Sequence, residues 1–226
     1  MRPLRLAAFV AAATVLVTAA PGAAFPGAPT PLTASAPGGP TAVPDEPGQG
    51  PAAVRRVFPV RGETSYGTAH HDYPATDIFA ACGSRVVAPV AGEVLEVSRT
   101  DRWDPSTNRP AVRGGKSFSI AGIDGVRYYG SHLRSLAGWV RPGAPVRAGQ
   151  PLGRVGQTGN AAYTSCHLHF GIGPLCRARD DWWIRRGVIR PYRFLRSWAA
   201  GRRLGPEHAV ARWSRHHGCK ISDIFG

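Results

Sequence analysis

Short apolar runs punctuated by glycine and proline begin at Val57 and dominate the middle of the chain. Runs of this length are typical of β-strands, and no segment before Gly173 shows the 3.6-residue periodicity of an amphipathic helix. Strands are predicted at Val86–Val90, Gly92–Arg99, Ser117–Ile123 and Val126–Leu133. The pattern therefore predicts an all-β region built from many short strands.

Turn signals separate these runs. The pair Asp124-Gly125 lies between two predicted strands and indicates a hairpin. Further short strands are predicted within Val146–Val155, with turns at Gly149 and Gly153. Thr100–Gly115, by contrast, is a polar stretch that predicts a long loop, and long loops in compact domains are often functional.

The pattern changes after Cys176, where the chain becomes basic and helical in character. Asp180–Arg186 predicts a short helix with acidic residues at its start. Pro191 suits the first position of a helix running to about Ala200, and Glu207–His217 predicts another. Four tryptophans are expected to pack this tail on the sheet: Trp182, Trp183, Trp198 and Trp213. Residues 177–226 are therefore interpreted as a basic helical extension, with a separate binding module as the alternative.

The first fifty residues predict export. Met1–Arg5 is basic and Leu6–Ala20 is apolar, a length that suits a signal peptide better than a membrane span. We expect a signal peptide over residues 1–24, with cleavage between Ala20 and Ala28 and an uncleaved anchor as the alternative. Residues 25–54 are rich in Pro, Ala and Gly and are interpreted as a disordered linker.

The net charge of the chain indicates which classes of partner it binds. Lysine and arginine number 28 against 14 acidic residues, which gives a formal charge of +14. Such a charge concentrates a protein at polyanions. Nucleic acid and an anionic cell wall or membrane surface are both candidates, and the predicted export favours the cell wall over any specific nucleic acid. The alternative is a solvated basic surface with no assigned partner.

Histidines provide the candidate chemistry. Ser165–Gly171 carries His167 and His169 around Leu168, and because side chains alternate across a strand, the two imidazoles share one face. Two imidazoles about 7 Å apart suit a metal site in which one binds and the other works beside it. The alternative is a His-x-His on a polar strand that binds nothing.

Two further stretches carry three of the six remaining histidines. His70–Ile78 contains His70, His71 and Asp77, and Tyr128–Leu133 contains His132. His216 and His217 have no carboxylate or cysteine constellation around them and are interpreted as surface residues. The three histidine stretches, in this order, resemble the lysostaphin-like family of zinc metallo-endopeptidases. The resemblance covers residues 57–175 and includes three connecting segments: Gly83–Val94, Val146–Gly153 and Gly156–Asn160.

The resemblance implies an antiparallel β-sandwich or half-barrel with an open groove over one zinc ion, as a catalytic domain over residues 55–176. It implies that Asp77 and His169 are zinc ligands and that His132 and His167 are catalytic without binding the metal. Three protein ligands leave one zinc position open for a nucleophilic water. The loop Thr100–Gly115 is expected on the groove wall.

The first ligand stays open between two residues. The family spacing is His-x-x-x-Asp, but Tyr73 occupies that position here, and the histidines lie further upstream. His71 is preferred over His70 because it needs the smaller insertion and lies an even number of residues from Asp77, which places both on one face of a continuous strand. A bulge before Pro74 could reverse this parity.

Four cysteines fit an exported protein and allow three pairings. If Asp77 and His169 share a metal, as the resemblance implies, Cys82 and Cys166 are drawn together. This favours Cys82–Cys166 and leaves Cys176–Cys219 to fix the C-terminal tail.

The resemblance implies a secreted, cell-wall-associated monomer that hydrolyses peptide bonds in the stem peptides or cross-bridges of bacterial peptidoglycan. Anionic wall polymers are further expected partners, and no stable membrane insertion is expected after signal cleavage. The alternative is a catalytically weak protein that binds the wall or activates another wall hydrolase.

Overall fold

The structure is a computed structural model that describes residues 53–176 and 182–219. The predicted signal peptide and nearly all of the predicted linker lie outside these ranges. Ten strands are present among the described residues: β1 Ser65–Tyr66, β2 Thr76–Phe79, β3 Arg85–Val87, β4 Gly92–Ser98, β5 Ser117–Gly122, β6 Arg127–Ser131, β7 Leu133–Leu136, β8 Pro145–Val146, β9 Pro151–Val155 and β10 His167–Gly173. Three helices follow: α1 Trp182–Arg185, α2 Tyr192–Ala199 and α3 Glu207–His217.

The strands form two antiparallel sheets, which confirms the mostly-β fold class. The larger sheet has seven strands in the order β1-β2-β10-β6-β5-β4-β8, and the smaller has three in the order β3-β9-β7. Strands β5 and β6 are joined through Asp124-Gly125, as the hairpin signal predicts, and Gly125 has the positive φ of 73° that such a turn requires. In the part of the chain that the structure describes, no helix is long and apolar enough to cross a membrane.

Three local predictions needed correction. The run Val126–Leu133 does not form one strand, because β6 ends at Ser131 and Leu133 begins β7 in the smaller sheet. The run Val86–Val90 forms a strand only as far as Val87, because Pro89 has no N–H for a sheet hydrogen bond. Gly153 lies inside β9 rather than at a turn. A Cβ atom at Gly153 would be 2.2 Å from the carbonyl oxygen of Ser135, so this glycine permits a close approach of β7.

The main hydrophobic core of the described residues joins the sheets to helices α2 and α3, while Ile184 of α1 packs in a smaller cluster with Cys176 and Val188. The main core contains Leu168 and Phe170 from β10, while Leu195 and Trp198 of α2 and Val210 of α3 pack against the same cluster. The alternation in β10 thus directs two apolar side chains into the core and leaves His167 and His169 on the opposite face.

Disulfides join Cys82 to Cys166 and Cys176 to Cys219, the two pairings favoured from the sequence. The first bond links the chain just after β2 to the residue just before β10. It therefore fixes the alignment of the two strands that carry Asp77 and His169.

Candidate active site

Strand register brings the predicted site residues together. In the antiparallel pair of β10 and β2, His169 lies directly opposite Asp77, and His167 lies opposite Phe79. On its other side, His169 pairs with Ser131 of β6, the residue immediately before His132. Segments separated by up to 92 residues therefore meet on one face of the larger sheet.

His70, Asp77 and His169 form a compact group of potential metal ligands. Their ligand atoms all lie within 4.8 Å of one another. The Nδ1 atom of His169 is 2.8 Å from Oδ1 of Asp77, and Nε2 of His70 is 3.8 Å from Oδ2 of the same carboxylate. Two imidazoles and one carboxylate are ligand types that zinc prefers.

The geometry places His70, and not the preferred His71, beside Asp77. The backbone N–H of His70 donates to the carbonyl oxygen of Ala75 at 2.6 Å, which closes a loop over residues 71–74. The His71 side chain is 77% exposed and lies 3.1 Å from Asp72, whereas the His70 side chain is 12% exposed. The parity argument for His71 required a continuous strand, and residues 71–74 are bent instead.

A backbone carbonyl fixes the proton of His169. Nε2 of His169 is 3.1 Å from the carbonyl oxygen of Arg186, which only accepts hydrogen bonds, so Nε2 carries the hydrogen. In the neutral ring, Nδ1 then presents a lone pair to Asp77 at 2.8 Å. Two acceptors this close need a positive charge between them, either a proton or a metal ion. The donor set therefore fits a cation.

His132 and His167 differ from His169 in the ring nitrogen that contacts a main-chain carbonyl oxygen. Nδ1 of His132 donates to the carbonyl oxygen of Thr158 at 2.7 Å, and Nδ1 of His167 donates to that of Ser165 at 2.8 Å. Each neutral ring therefore keeps its lone pair on Nε2. The ring centres lie 4.9 Å apart, and Nε2 of His167 is 4.0 Å from Oδ1 of Asp77.

The backbone holds His132 in an uncommon conformation between β6 and β7. Its φ is 65°, in the left-handed region that non-glycine residues rarely adopt. Its N–H donates to the carbonyl oxygen of Gly114 at 3.0 Å, and the next residue, Leu133, donates to Lys116. Strain of this kind persists where the surroundings over-determine it, and it is common in active sites.

Burial keeps two of these histidines neutral near pH 7. Burial lowers the pKa of His70 to about 4, with a further contribution from nearby His169. Burial likewise lowers the pKa of His132 to about 3. For Asp77, burial raises the pKa, but the hydrogen bond with His169 and the nearby histidines outweigh this effect and lower it to about 2. The carboxylate is therefore ionised and the two imidazoles keep a lone pair.

Three histidines of the site line a cavity of about 240 Å³. His70, His132 and His169 form part of its wall, and Arg113 and Gly114 of the predicted loop form another part. The C-terminal extension contributes Trp183 and Arg186 to the wall, and the loop after His70 contributes His71, Asp72 and Tyr73.

Comparison with known proteins assigns one segment of the chain to a family. The profile of peptidase family M23 matches residues 71–180, a segment that contains Asp77, His132, His167 and His169. This matched segment belongs to peptidase family M23. The resemblance seen in the sequence is therefore confirmed at the level of the family.

Relatives of the M23 domain include a curated enzyme and several solved structures. The chain is 29% identical over 155 residues to the L-Ala–D-Glu endopeptidase of Bacillus subtilis, covering 62% of this chain and 42% of that protein. The chain thus spans less than half the length of this curated relative. It also resembles the catalytic domain of lysostaphin from Staphylococcus simulans, with 26% identity, a TM-score of 0.45 and coverage of 59% and 93% of the two chains. A zinc-containing peptidase from Vibrio cholerae shows 22% identity and a TM-score of 0.40, covering 53% and 36%.

Three residues at the site could not be predicted from the sequence, because they contact the histidines through main-chain carbonyl oxygens. Thr158, Ser165 and Arg186 each orient one histidine ring, and a carbonyl contact leaves no mark on residue type. Tyr73, which occupies the family's usual ligand position, places its hydroxyl 3.3 Å from Nε2 of His169. Its burial raises its pKa, so it stays a neutral phenol.

Proposed function

We propose that this chain is a zinc-dependent endopeptidase that hydrolyses peptide bonds in bacterial peptidoglycan. The observation that carries the proposal is the divided set of imidazoles in one groove. His70 and His169 direct ring nitrogens toward Asp77, while His132 and His167 lie beside them with their Nδ1 atoms held by carbonyl oxygens. Membership of a peptidase family supports the reaction class.

In this proposal His70, Asp77 and His169 hold the zinc. His70 therefore replaces His71 as the first ligand. When bound, zinc acts as a Lewis acid toward the scissile carbonyl and lowers the pKa of water. The hydrogen bond from His169 to the Arg186 carbonyl keeps the lone pair of Nδ1 directed at the metal position, which is the role that outer contacts play at zinc sites.

His132 and His167 supply the proton transfers in this proposal. Nε2 of either ring can accept a proton from the attacking water, because Nδ1 is already protonated and bound to a carbonyl oxygen. The imidazolium formed then donates its Nε2 proton to the leaving amine or to the oxygen of the tetrahedral intermediate. Because the two rings are only 4.9 Å apart, positive charge on one disfavours charge on the other, and one proton is shared between them at a time.

The proposed setting is the cell wall outside the cytoplasm. Two disulfides are consistent with an oxidising compartment. The charge of +14 would hold the protein at anionic wall polymers. The name of the Bacillus subtilis relative specifies a bond between L-Ala and D-Glu, and the same stem-peptide bond is the first to test here.

Mass analysis of defined muropeptides tests this function and identifies the bond. We expect the purified zinc-loaded chain to release products that each carry one new amino end or one new carboxyl end. His169→Ala should release none. Intact muropeptides after prolonged incubation with a folded, zinc-containing chain would contradict the proposal.

Gly171→Ala is expected to weaken zinc binding about 10-fold to 100-fold. Gly171 lies in β10 two residues after His169, and a Cβ atom there would be 2.1 Å from the carbonyl oxygen of Arg186. The clash must displace the oxygen that fixes the His169 ring. Competition with a chromophoric chelator measures the affinity.

Gly138→Ala is the matched control for this substitution, because a Cβ atom added at Gly138 would meet no other atom within 4 Å. Its zinc affinity should equal that of the wild type. Equal affinities for Gly171→Ala and the wild type, with unchanged circular dichroism, would show that the Arg186 carbonyl does not support the site.

A further inference from the structure

Arg186 is a buried cation in the wall of the candidate active site. It is 7% exposed and lines the same cavity as His70, His132 and His169. Its position follows from the backbone: Val188 and Ile189 donate to the carbonyl oxygen of Ile172 in β10, so the segment after α1 runs beside the strand that carries the site.

The contacts that Arg186 makes with other described residues hold its guanidinium without neutralising it. One Nη2 hydrogen bond goes to the carbonyl oxygen of Pro110 at 2.5 Å. The guanidinium carbon lies 5.2 Å from the ring centre of Trp182 and 5.7 Å from that of Trp183, within the range of cation–π contacts. Within the described part of the chain, aromatic packing and a single carbonyl leave most of its five N–H donors available.

No carboxylate of the described residues lies within 4.0 Å of Arg186. Among the described residues at the site, Asp77 pairs with His169 and Asp72 with His71. A second cation, Arg113, lines the same cavity and contacts oxygens of Asn108 through its Nε atom.

A buried charge without a counterion is costly, and such charges are retained mainly where a ligand supplies the opposite charge. A guanidinium with a fixed plane suits a carboxylate, because its paired N–H groups match the two oxygens. An ammonium group would be repelled by this site, and a neutral amide would offer one uncharged acceptor oxygen in place of the two oxygens of a carboxylate.

We propose that Arg186 binds a carboxylate of the peptide substrate next to the reacting bond, and so makes the enzyme selective for acidic stem peptides. This specificity rests on the proposed peptidase function. The C-terminal extension would then contribute to the site in two ways. The carbonyl oxygen of Arg186 accepts a hydrogen bond from His169, and the guanidinium of Arg186 binds the substrate.

The test compares two synthetic peptides that differ only in one carboxylate near the scissile bond, replaced by a carboxamide in the second. For the wild type we expect kcat/KM to favour the carboxylate peptide by about 10-fold to 100-fold, the usual range for a charged hydrogen bond. Arg186→Gln should bring this ratio close to one, and Arg186→Lys should keep part of it because the charge remains.

Arg185→Gln is the matched control. Arg185 is the neighbouring residue, but its guanidinium pairs with Glu96 at 2.7 Å and lines a different cavity. Its selectivity ratio should equal that of the wild type. Zinc content is measured for every variant, so that a change at the metal is not mistaken for a change in selectivity.

Calorimetric binding of the same two peptides separates this proposal from the proposed function. Tighter binding of the carboxylate peptide that disappears in Arg186→Gln supports the role of Arg186 even if neither peptide is cleaved, in which case the peptidase proposal fails alone. Two results would overturn the proposed role of Arg186. One is that the wild type cleaves and binds the carboxylate and carboxamide peptides equally well; the other is that Arg186→Gln keeps the wild-type preference for the carboxylate peptide.

Discussion

Replacing His132 with asparagine is expected to leave the metal bound and to lower turnover by about 100-fold or more. His132 is not in the group His70, Asp77 and His169, so its loss removes no proposed ligand. The substitution does remove the lone pair on Nε2. In the wild type this lone pair is kept on Nε2 because Nδ1 donates its hydrogen to the Thr158 carbonyl oxygen. Asparagine is chosen because it tolerates the positive φ of 65° better than alanine does.

His167→Ala should give a similar loss, again with zinc retained. His216→Ala, on the exposed surface of α3, is the control and should be fully active. Turnover is measured on a soluble stem peptide, together with the zinc content of each protein. If His132→Asn or His167→Ala loses its zinc, the division between ligands and proton carriers is wrong.

His70→Ala is expected to abolish tight zinc binding, while His71→Ala should retain zinc and most of the activity. The reason is the loop over residues 71–74, which directs His70 toward Asp77 and leaves His71 paired with Asp72 in solvent. His169→Ala should behave like His70→Ala. Emission spectrometry of dialysed protein gives the zinc content of each variant.

The opposite result, zinc lost in His71→Ala and kept in His70→Ala, would mean that the loop rearranges when the metal binds. Circular dichroism of both variants shows whether a loss of metal reflects a loss of fold. His70 and His71 are adjacent and chemically identical, so the pair is its own matched control.

Period-two alternation allowed the strand part of the site to be predicted. In Ser165–Gly171 the alternation correctly placed Leu168 and Phe170 in the core and the two histidines on the other face. The same rule favoured His71 over His70, because it assumed that the strand extends back from Asp77. Strand β2 begins only at Thr76, and a hydrogen bond between His70 and Ala75 closes the residues before it into a loop.

The contacts that orient the imidazoles could not be predicted. The carbonyl oxygens of Thr158 and Arg186 lie 26 and 17 residues from the histidines they contact, and any residue type supplies a carbonyl. The left-handed φ of His132 was equally hidden, because only a few per cent of non-glycine residues adopt this conformation and one histidine does not mark it. The disulfides were predictable for the opposite reason, since Cys82 and Cys166 lie close in sequence to Asp77 and His169.

The most direct test of the central claim is the release of new amino ends from purified peptidoglycan before and after zinc is restored. The chain is first stripped with a chelator, dialysed and divided, and one portion is reloaded with one equivalent of zinc. We expect no release by the stripped portion and full release by the reloaded one, with His169→Ala inactive in both. Equal release by the stripped and reloaded portions would contradict a zinc-dependent peptidase built on His70, Asp77 and His169.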